Sequence, residues 1–206
     1  MKIKEVLVPN KIIGDFRKNL RDPSDYFDEE TVMIKTLKAN GWKLLGRGTS
    51  GIVFSNPAKS YVIKFTINRD TPYDAFAKLT HSLNSKYLPR ISDRKIIRIK
   101  NTSYYVYMIE KLVKADSKVC DIIRDYVELL VEINDVYTDP EEVQIDKQML
   151  LKLDKSLKKY PGLTQTIQQL VKIARKRHYD LSIWGGYSPN ILKRKDGTPV
   201  IADPFC

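Results

Sequence analysis

Cysteines and long apolar runs are scarce in this sequence of 206 residues, and each scarcity excludes a class of protein. The two cysteines, Cys120 and Cys206, are too few for a disulfide framework and lack the spacing of a zinc site. No stretch approaches the roughly 18 consecutive apolar residues of a membrane-spanning helix, and the first residues lack the apolar core of a secretory signal. We therefore expect a soluble, cytoplasmic protein without a membrane partner.

Acidic residues are also in the minority. The sequence contains 25 Asp and Glu residues and 36 Lys and Arg residues, which gives a formal net charge of +11. This excess favours acidic partners such as phosphates, nucleic acid or an acidic protein surface, and it carries no information about the fold. No signature of a nucleic-acid-binding module is present, so no motif supports nucleic acid as the partner. The apolar fraction of 42% is sufficient for a packed core, which excludes a disordered chain.

Hydrophobic periodicity predicts an α+β fold whose first part is rich in strands and whose second part is helical. The expected strands lie within residues 42–66, at 95–100 and at 103–109, followed by a hairpin around Asp196-Gly197. The expected helices cover residues 22–40, 71–84, 119–133, 139–160 and 163–174. These elements predict a helical extension over 1–40, a strand-rich lobe over 41–112 and a helical lobe over 113–206.

The sharpest motif is a glycine-rich segment that reads G-x-G-x-x-G-x-V, with the sequence Gly46, Arg47, Gly48, Thr49, Ser50, Gly51, Ile52 and Val53. Glycines let the backbone pass close to phosphate oxygens and point its N–H groups at them. The same glycine spacing occurs in Rossmann folds, where a helix follows the last glycine. Strands are predicted on both sides here, which excludes that fold. A phosphate-binding hairpin and a glycine-rich hairpin without a ligand are the two interpretations that remain.

A lysine between apolar residues is the second feature of this lobe. Lys64, in the run Val62-Ile63-Lys64, follows Gly46 by eighteen residues and lies on a predicted strand. In that position its amine is expected beneath the glycine-rich loop, where it can pair with nucleotide phosphates. The alternative is a solvated lysine on an edge strand, which the glycine-rich motif makes less favoured.

The third group of polar residues lies near the end of the sequence. His178-Tyr179-Asp180-Leu181 is followed by Asn190 and then by Asp203-Pro204-Phe205. Asn190 and Asp203 are thirteen residues apart across the Asp196-Gly197 turn. A hairpin at that turn would bring both side chains together, and their oxygens suit a hard cation such as Mg²⁺.

Together these motifs resemble those of the protein kinase family. Residues 178–181 resemble the H-R-D-L catalytic loop, Val62-Ile63-Lys64 resembles the nucleotide-binding lysine strand, and Asp203 resembles the metal-binding Asp of D-F-G. Within the family, the chain is most similar to the early Ser/Thr protein kinases of lytic podovirus-type phages. The resemblance spans residues 41–205.

The resemblance implies a minimal protein-kinase-like two-lobed fold, with a five-stranded antiparallel sheet and one helix in the first lobe and a reduced helical second lobe. It also implies ATP and Mg²⁺ as cofactors, and a host protein as substrate, such as the host transcription or translation machinery in the host cytoplasm. The implied site consists of the loop Gly46–Val53 over the phosphates, Lys64 on the phosphates, Glu110 and Leu112 at the adenine, Asn190 and Asp203 on the metal, and Asp180 as catalytic base.

The chain departs from the family pattern inside the catalytic loop. Asp180 and Asn190 are ten residues apart, whereas the motif separates the two by about five. Either residues around 183–187 are inserted, which the match of His178 and Leu181 favours, or Asn190 sets the register and Gly185 occupies the base position. The second alternative describes a pseudokinase that binds and inhibits a host partner. A small-molecule kinase of the aminoglycoside type, which shares the same Asp and Asn arrangement, is a third interpretation.

Two further features bear on regulation and substrate. Helix 71–84 contains no glutamate to pair with Lys64, and Asp74 is the only acid well inside it. The basic runs at 152–160 and 172–179 are typical of a solvated helix face, and an acidic or phosphate-rich partner is the alternative. The sequence ends three residues after Asp203, so we expect substrate recognition to use other parts of the chain.

Overall fold

The chain divides into two compact units. The computed structural model describes residues 14–15, 18–19, 29–48, 51–67, 71–92, 94–99, 102–133, 140–181, 184–185 and 188–205. The first unit comprises Met1–Asp70 and Ile91–Lys111, and the second comprises Thr71–Arg90 and Leu112–Cys206. The helix that follows residue 70 thus belongs to the second unit, and the lobe boundaries drawn from the sequence stay predictions.

The first unit is built on a five-stranded antiparallel sheet, which confirms the predicted number and direction of strands. The strands run in the order β1-β2-β3-β5-β4. Their bounds are β1 Lys43–Gly48, β2 Gly51–Ser55, β3 Tyr61–Ile67, β4 Lys95–Ile99 and β5 Thr102–Glu110. Along β2, buried residues alternate with half-buried ones, because successive side chains of a strand point to opposite faces.

One face of this sheet packs against a helix, α1, which covers Glu29–Ala39. The residues of the resulting core are all nearly inaccessible to solvent. They are Val32, Met33 and Leu37 of α1, Trp42, and the sheet residues Ile52, Phe54, Ile63, Phe65, Ile97, Tyr104 and Val106. The rings of Phe54 and Phe65 meet edge to face at 5.9 Å between centroids, an arrangement that aromatic pairs prefer.

Gly41 ends α1, as the sequence predicts. Its φ is +80°, a left-handed conformation that glycine adopts without steric cost. The Gly41 N–H donates to the Lys38 carbonyl at 3.0 Å, and the Trp42 N–H donates to the Leu37 carbonyl at 3.0 Å. These two bonds are those of a Schellman C-cap. The predicted start of the helix, near residue 22, lies outside the described residues.

The second unit is mainly helical and agrees with the predicted helices. Its helices are α2 Thr71–Leu83, α3 Ser117–Glu132, α4 Pro140–Leu157 and α5 Leu163–Arg177. The apolar residues of α3 and α5 recur every three or four positions and are buried, from Ile123 to Leu130 and from Leu163 to Ala174. Across these helices the Gln168 amide donates to the Tyr126 hydroxyl at 3.3 Å.

Two small antiparallel sheets complete the second unit. β6 Val113–Lys114, β9 Ile191–Lys193 and β10 Pro199–Ile201 form a three-stranded sheet in the order β10-β9-β6. β7 Trp184–Gly185 pairs with β8 Ser188–Pro189. The β9–β10 hairpin lies where the sequence predicts it, whereas β6, β7 and β8 have no counterpart in the sequence-based prediction. Each of these three strands has only two residues, which is too short to carry an alternating pattern.

No helix in the described part of the chain combines the length and the apolar character that crossing a membrane requires.

Substitution of Gly41 by alanine should destabilise the first unit by about 1–2 kcal/mol, because a Cβ at positive φ clashes with the backbone. The nearest atom to that Cβ, Asn56 Nδ2, is 3.7 Å away, so packing adds little to this cost. Urea denaturation measures the change. The control is Lys38→Ala, an exposed position in the same helix turn, which should stay within about 0.5 kcal/mol of wild type. Equal stability of the two variants would contradict the C-cap assignment.

Candidate functional site

In the first unit, the glycine-rich segment forms a β-hairpin. β1 and β2 pair with Gly48 opposite Gly51 and with Gly46 opposite Val53. Strands therefore lie on both sides of the glycines, as the sequence predicts. The other residues expected in this loop are Arg47, which is exposed, and Thr49 and Ser50, which lie outside the described residues.

Lys64 lies next to this hairpin on β3. It pairs with Val53 of β2 on one side and with Tyr107 of β5 on the other, and directly opposed residues project from the same face of a sheet. Its side chain is nearly buried, with 7% exposure. A Cβ built on Gly51 would lie 3.4 Å from Lys64 Cε, so the lysine stem passes alongside the last glycine of the motif. The structure thus brings Lys64 and the glycine hairpin together within one unit.

The glycines of this hairpin are not equivalent. A Cβ on Gly51 would collide with the Phe65 carbonyl oxygen, so the close approach of β3 requires glycine there. A Cβ on Gly46 would have no neighbour within 4 Å, and Gly46 is not among the residues with positive φ. Neither packing nor backbone conformation therefore requires glycine at position 46, and the space beside it is empty.

The segment expected to bind adenine lies at the end of β5. Glu110 is half-buried and pairs with Tyr61 of β3. The next backbone N–H, that of Lys111, donates to the Ser60 carbonyl at 3.1 Å, which fixes the direction in which the chain leaves the sheet. Leu112 follows as a half-buried residue. Adenine binding by Glu110 and Leu112 stays a prediction.

In the second unit, Asn190 and Asp203 flank the β9–β10 hairpin. Asn190 immediately precedes β9, and Asp203 is the second residue after β10. The Ala202 N–H donates to the Asn190 carbonyl at 2.7 Å, so the two chain segments are joined at the open end of the hairpin. Both Asn190 and Asp203 are half-buried. The hairpin therefore brings two oxygen-bearing residues to one end of one small element.

The turn of this hairpin is built from Asp196 and Gly197, as the sequence predicts. Gly197 has a φ of +86°, and the Asp196 carboxylate accepts a hydrogen bond from the Thr198 N–H at 2.9 Å. This bond, followed by one from the Thr198 side chain, holds the pKa of Asp196 below its usual value. A carboxylate whose pKa is lowered by folding contributes stability above its unfolded pKa, and that contribution is lost as the pH falls through the folded pKa.

Arg194 anchors the hairpin and was not anticipated from the sequence. Its guanidinium donates to the carbonyl of Lys86 and, at 3.0 Å, to that of Leu88. The Ile201 N–H donates to the Tyr87 carbonyl at 2.9 Å in the same region. These bonds fix β9 and β10 to the segment that follows α2. No sequence signal could identify Arg194, because its acceptors are backbone carbonyls more than a hundred residues away.

The segment that contains Asp180 lies beside the residues that follow Asp203. Leu181 forms an antiparallel bridge with Phe205. The Phe205 ring also contacts Tyr179 at 5.7 Å and Phe76 of α2 at 5.8 Å between centroids. The side chain of Phe205 is buried, whereas Asp180 is exposed. One backbone bridge and one aromatic cluster thus connect the predicted base segment with the predicted metal segment.

The ten-residue gap between Asp180 and Asn190 contains the β7–β8 pair. Trp184 lies opposite Pro189, and Gly185 lies opposite Ser188. Cα atoms of opposed residues in an antiparallel pair are about 4.5–5.5 Å apart. The pair therefore brings together two points of the chain that are five residues apart in sequence. The chain therefore folds back on itself within this gap.

Asn190 and Asp203 are the two residues that the sequence predicts as metal ligands. Within the described ranges, no group of three or more His, Cys, Asp or Glu side chains is arranged to hold a metal ion. The donor set at the β9–β10 hairpin, one amide and one carboxylate oxygen, nevertheless fits Mg²⁺, which is usually held by one or two protein ligands together with phosphate oxygens and water.

Comparison with known proteins adds no relative. A scan of the sequence against protein-family models finds no match, and a search of curated proteins finds none either.

The two glycines should respond differently to substitution by alanine. Gly51→Ala should destabilise the first unit by about 1–3 kcal/mol, the usual cost of overpacking, because its Cβ would collide with the Phe65 carbonyl. Gly46→Ala should change stability by less than about 0.5 kcal/mol. Thermal unfolding of both variants without ligand measures the difference. A Gly46→Ala variant as unstable as Gly51→Ala would show that position 46 is constrained by the fold itself.

Proposed function

We propose that this protein is a Mg²⁺- and ATP-dependent phosphotransferase with a minimal protein-kinase-like two-lobed fold, which phosphorylates Ser or Thr residues of proteins. The observation that carries the proposal is the pairing at the open end of the β9–β10 hairpin, where the Ala202 N–H donates to the Asn190 carbonyl and Asp203 follows as the next residue. The Leu181–Phe205 bridge, which brings the Asp180 segment alongside, supports it. The glycine hairpin with Lys64 beside it supplies the features that a nucleotide needs.

Each residue in this proposal has a role that its chemistry permits. Gly46, Gly48 and Gly51 cover the phosphates with backbone N–H groups, and Lys64 neutralises the phosphate charge. Asn190 and Asp203 would hold Mg²⁺, which would supply positive charge to neutralise the transferred group. Asp180 accepts the proton of the substrate hydroxyl. Catalysis then rests mainly on positioning and charge neutralisation. In keeping with the resemblance to phage enzymes, we propose host proteins as substrates and the host cytoplasm as the location.

The β7–β8 pair favours Asp180 over Gly185 as the residue at the base position. Along the chain, Asn190 is ten residue-to-residue steps from Asp180. If the path instead crosses directly from Trp184 to its pairing partner Pro189, which counts as a single step, the number of steps falls to six. That length is close to the roughly five residues of the kinase motif. The insertion hypothesis thus gains support, and the pseudokinase alternative, in which Gly185 is the counterpart of the base, loses it.

Charge favours a protein substrate over an aminoglycoside. Aminoglycosides are cationic, whereas this chain carries a formal charge of +11. Arg175, Lys176 and Arg177 also precede Asp180 closely in the sequence and are exposed. A cationic substrate would be repelled at that place, because like charges disfavour close approach.

Binding of Mg-ATP should raise the melting temperature. At a ligand concentration about a hundred times Kd, the linkage stabilises the folded state by about 2.7 kcal/mol, which corresponds to roughly 5–10 °C for a chain of this size. Gly46→Ala should melt like wild type without ligand and lose most of the shift, because its Cβ would occupy the space open to phosphate. Lys64→Ala combined with Asp203→Ala should lose the shift as well. An absent shift in wild type, or a full shift in the double variant, would refute this nucleotide site.

Replacement of Asp180 by asparagine should separate the enzyme from the pseudokinase. Phosphotransfer from labelled ATP should fall by about two to four orders of magnitude, the usual effect of a positioned base, while the Mg-ATP melting shift is retained. Asp121→Asn serves as the control, since Asp121 is an exposed aspartate of α3 paired only with Arg124 among the described residues. Absence of phosphotransfer in wild type, with the melting shift intact, would support the pseudokinase instead.

A further inference from the structure

The last turn of α5 carries three consecutive cations, Arg175, Lys176 and Arg177, which we call the basic cluster. All three side chains are exposed. The negative end of the helix dipole explains why cations are favourable there. The dipole does not explain why Lys176 and Arg177 have no acidic partner among the described residues. Within the described ranges, Lys176 and Arg177 form no ion pair with an acidic side chain, whereas the guanidinium of Arg175 donates to the Val131 carbonyl of α3 at 3.1 Å.

The chain between the basic cluster and Asp180 is held by backbone hydrogen bonds. The His178 N–H donates to the Arg175 carbonyl at 3.2 Å, and the Tyr179 N–H donates to the Ala174 carbonyl at 3.0 Å. His178 adopts a φ of +54° to make this C-cap, which histidine tolerates better than most residues. Beyond the cap, the Tyr179 ring packs on Phe205. The position of the basic cluster relative to Asp180 is therefore fixed.

The distance between the basic cluster and Asp180 matches the length of a short peptide. Arg177 and Asp180 are three residues apart, so their Cα atoms are separated by at most about 11 Å. An extended peptide advances about 3.3 Å per residue. A substrate whose hydroxyl lies at Asp180 would therefore bring residues within about four positions of that hydroxyl to the basic cluster.

The arrangement of the cations suits a short acidic segment rather than a long polyanion. Successive residues of a helix are rotated by about 100°, so the basic cluster spreads around the end of α5 and forms no stripe along it. Exposed acids limit the positive area on both sides, with Glu132 next to Val131 on α3 and Asp180 beyond the helix. A nucleic-acid backbone, with one phosphate every few ångströms, would bring phosphates next to these carboxylates, which would repel them. A peptide with one or two carboxylates could contact the basic cluster without approaching these acids.

We propose that the basic cluster selects protein substrates whose acceptor Ser or Thr has acidic residues within about four positions. This inference rests on the proposed phosphotransferase activity, and it names the substrate class of the same site. Lys176 and Arg177 are the specificity-determining residues, since Arg175 is engaged with the backbone of α3. They act by attracting the acidic side chains of the substrate, and they take no part in the transfer of the phosphoryl group.

The test compares phosphorylation of two peptides that differ only in charge, one with aspartates on both sides of a central serine and one with alanines there. Wild type should phosphorylate the acidic peptide with a kcat/KM about tenfold higher, and the difference should lie in KM. In the double variant Lys176→Glu with Arg177→Glu, the ratio of the two kcat/KM values should fall about tenfold, and a peptide with lysines around the serine should become a better substrate. A general loss of fold would not produce that reversal.

Lys118→Glu is the matched control. Lys118 is an exposed lysine of the same unit, and the helix rise puts it about 20 Å along α3 from Val131, which Arg175 contacts. The ratio should stay at its wild-type value in this variant. Equal kcat/KM values for the two peptides in wild type would overturn the inference and leave the proposed activity standing, as would an unchanged ratio in the double variant. Loss of oligonucleotide binding in the double variant, with peptide selectivity intact, would also overturn it. Absence of phosphotransfer to any peptide would overturn the proposed function itself.

Discussion

The hydrogen bond from the Ala202 N–H to the Asn190 carbonyl is the constraint on which the candidate chemistry of the second unit depends. It closes the β9–β10 hairpin and joins Asn190 to the residue that immediately precedes Asp203. The closure is supported at the opposite end by the turn at Asp196 and from the side by Arg194. A hairpin with three-residue strands would be marginal alone, so the pairing of β9 with β6 and these side-chain anchors stabilise it.

The elements predicted correctly from the sequence are those whose signals are local. Gly41 and Gly197 mark a helix end and a turn because both backbones require positive φ, and alternating apolar residues identify the strands of the large sheet. The two-residue strands β6, β7 and β8 were not predicted, because they are defined by their pairing with another segment and not by a local sequence pattern. The role of Arg194 could not be predicted for the same reason, because the carbonyls that accept its hydrogen bonds are close to it only in the folded chain. Local chemistry thus predicts the elements, and tertiary pairing decides how the site is held.

The glycine-rich motif illustrates how one pattern can combine two physical constraints. The motif predicts the same phosphate-binding role for Gly46 and Gly51. In the structure, Gly51 is required by the neighbouring strand, since its Cβ would touch the Phe65 carbonyl, whereas Gly46 has open space around it. The sequence could predict the hairpin and the position of Lys64 beside it, but it could not separate the glycine that packing requires from the one that packing leaves free to vary. That distinction depends on how closely β3 approaches β2.

The last turn of α5 carries the candidate selectivity for substrate, and the connection from α5 to β9 carries the candidate base. Its first part is fixed by the C-cap at His178 and by the Leu181–Phe205 bridge, and its last part is fixed by the hairpin that begins after Asn190. Between these fixed points, the β7–β8 pair takes up the additional residues. An insertion that closes on itself changes the length of a loop without moving its ends. For this reason an unusual spacing in sequence is compatible with an ordinary spacing in space, and the ten-residue gap by itself is no argument against Asp180 as the base.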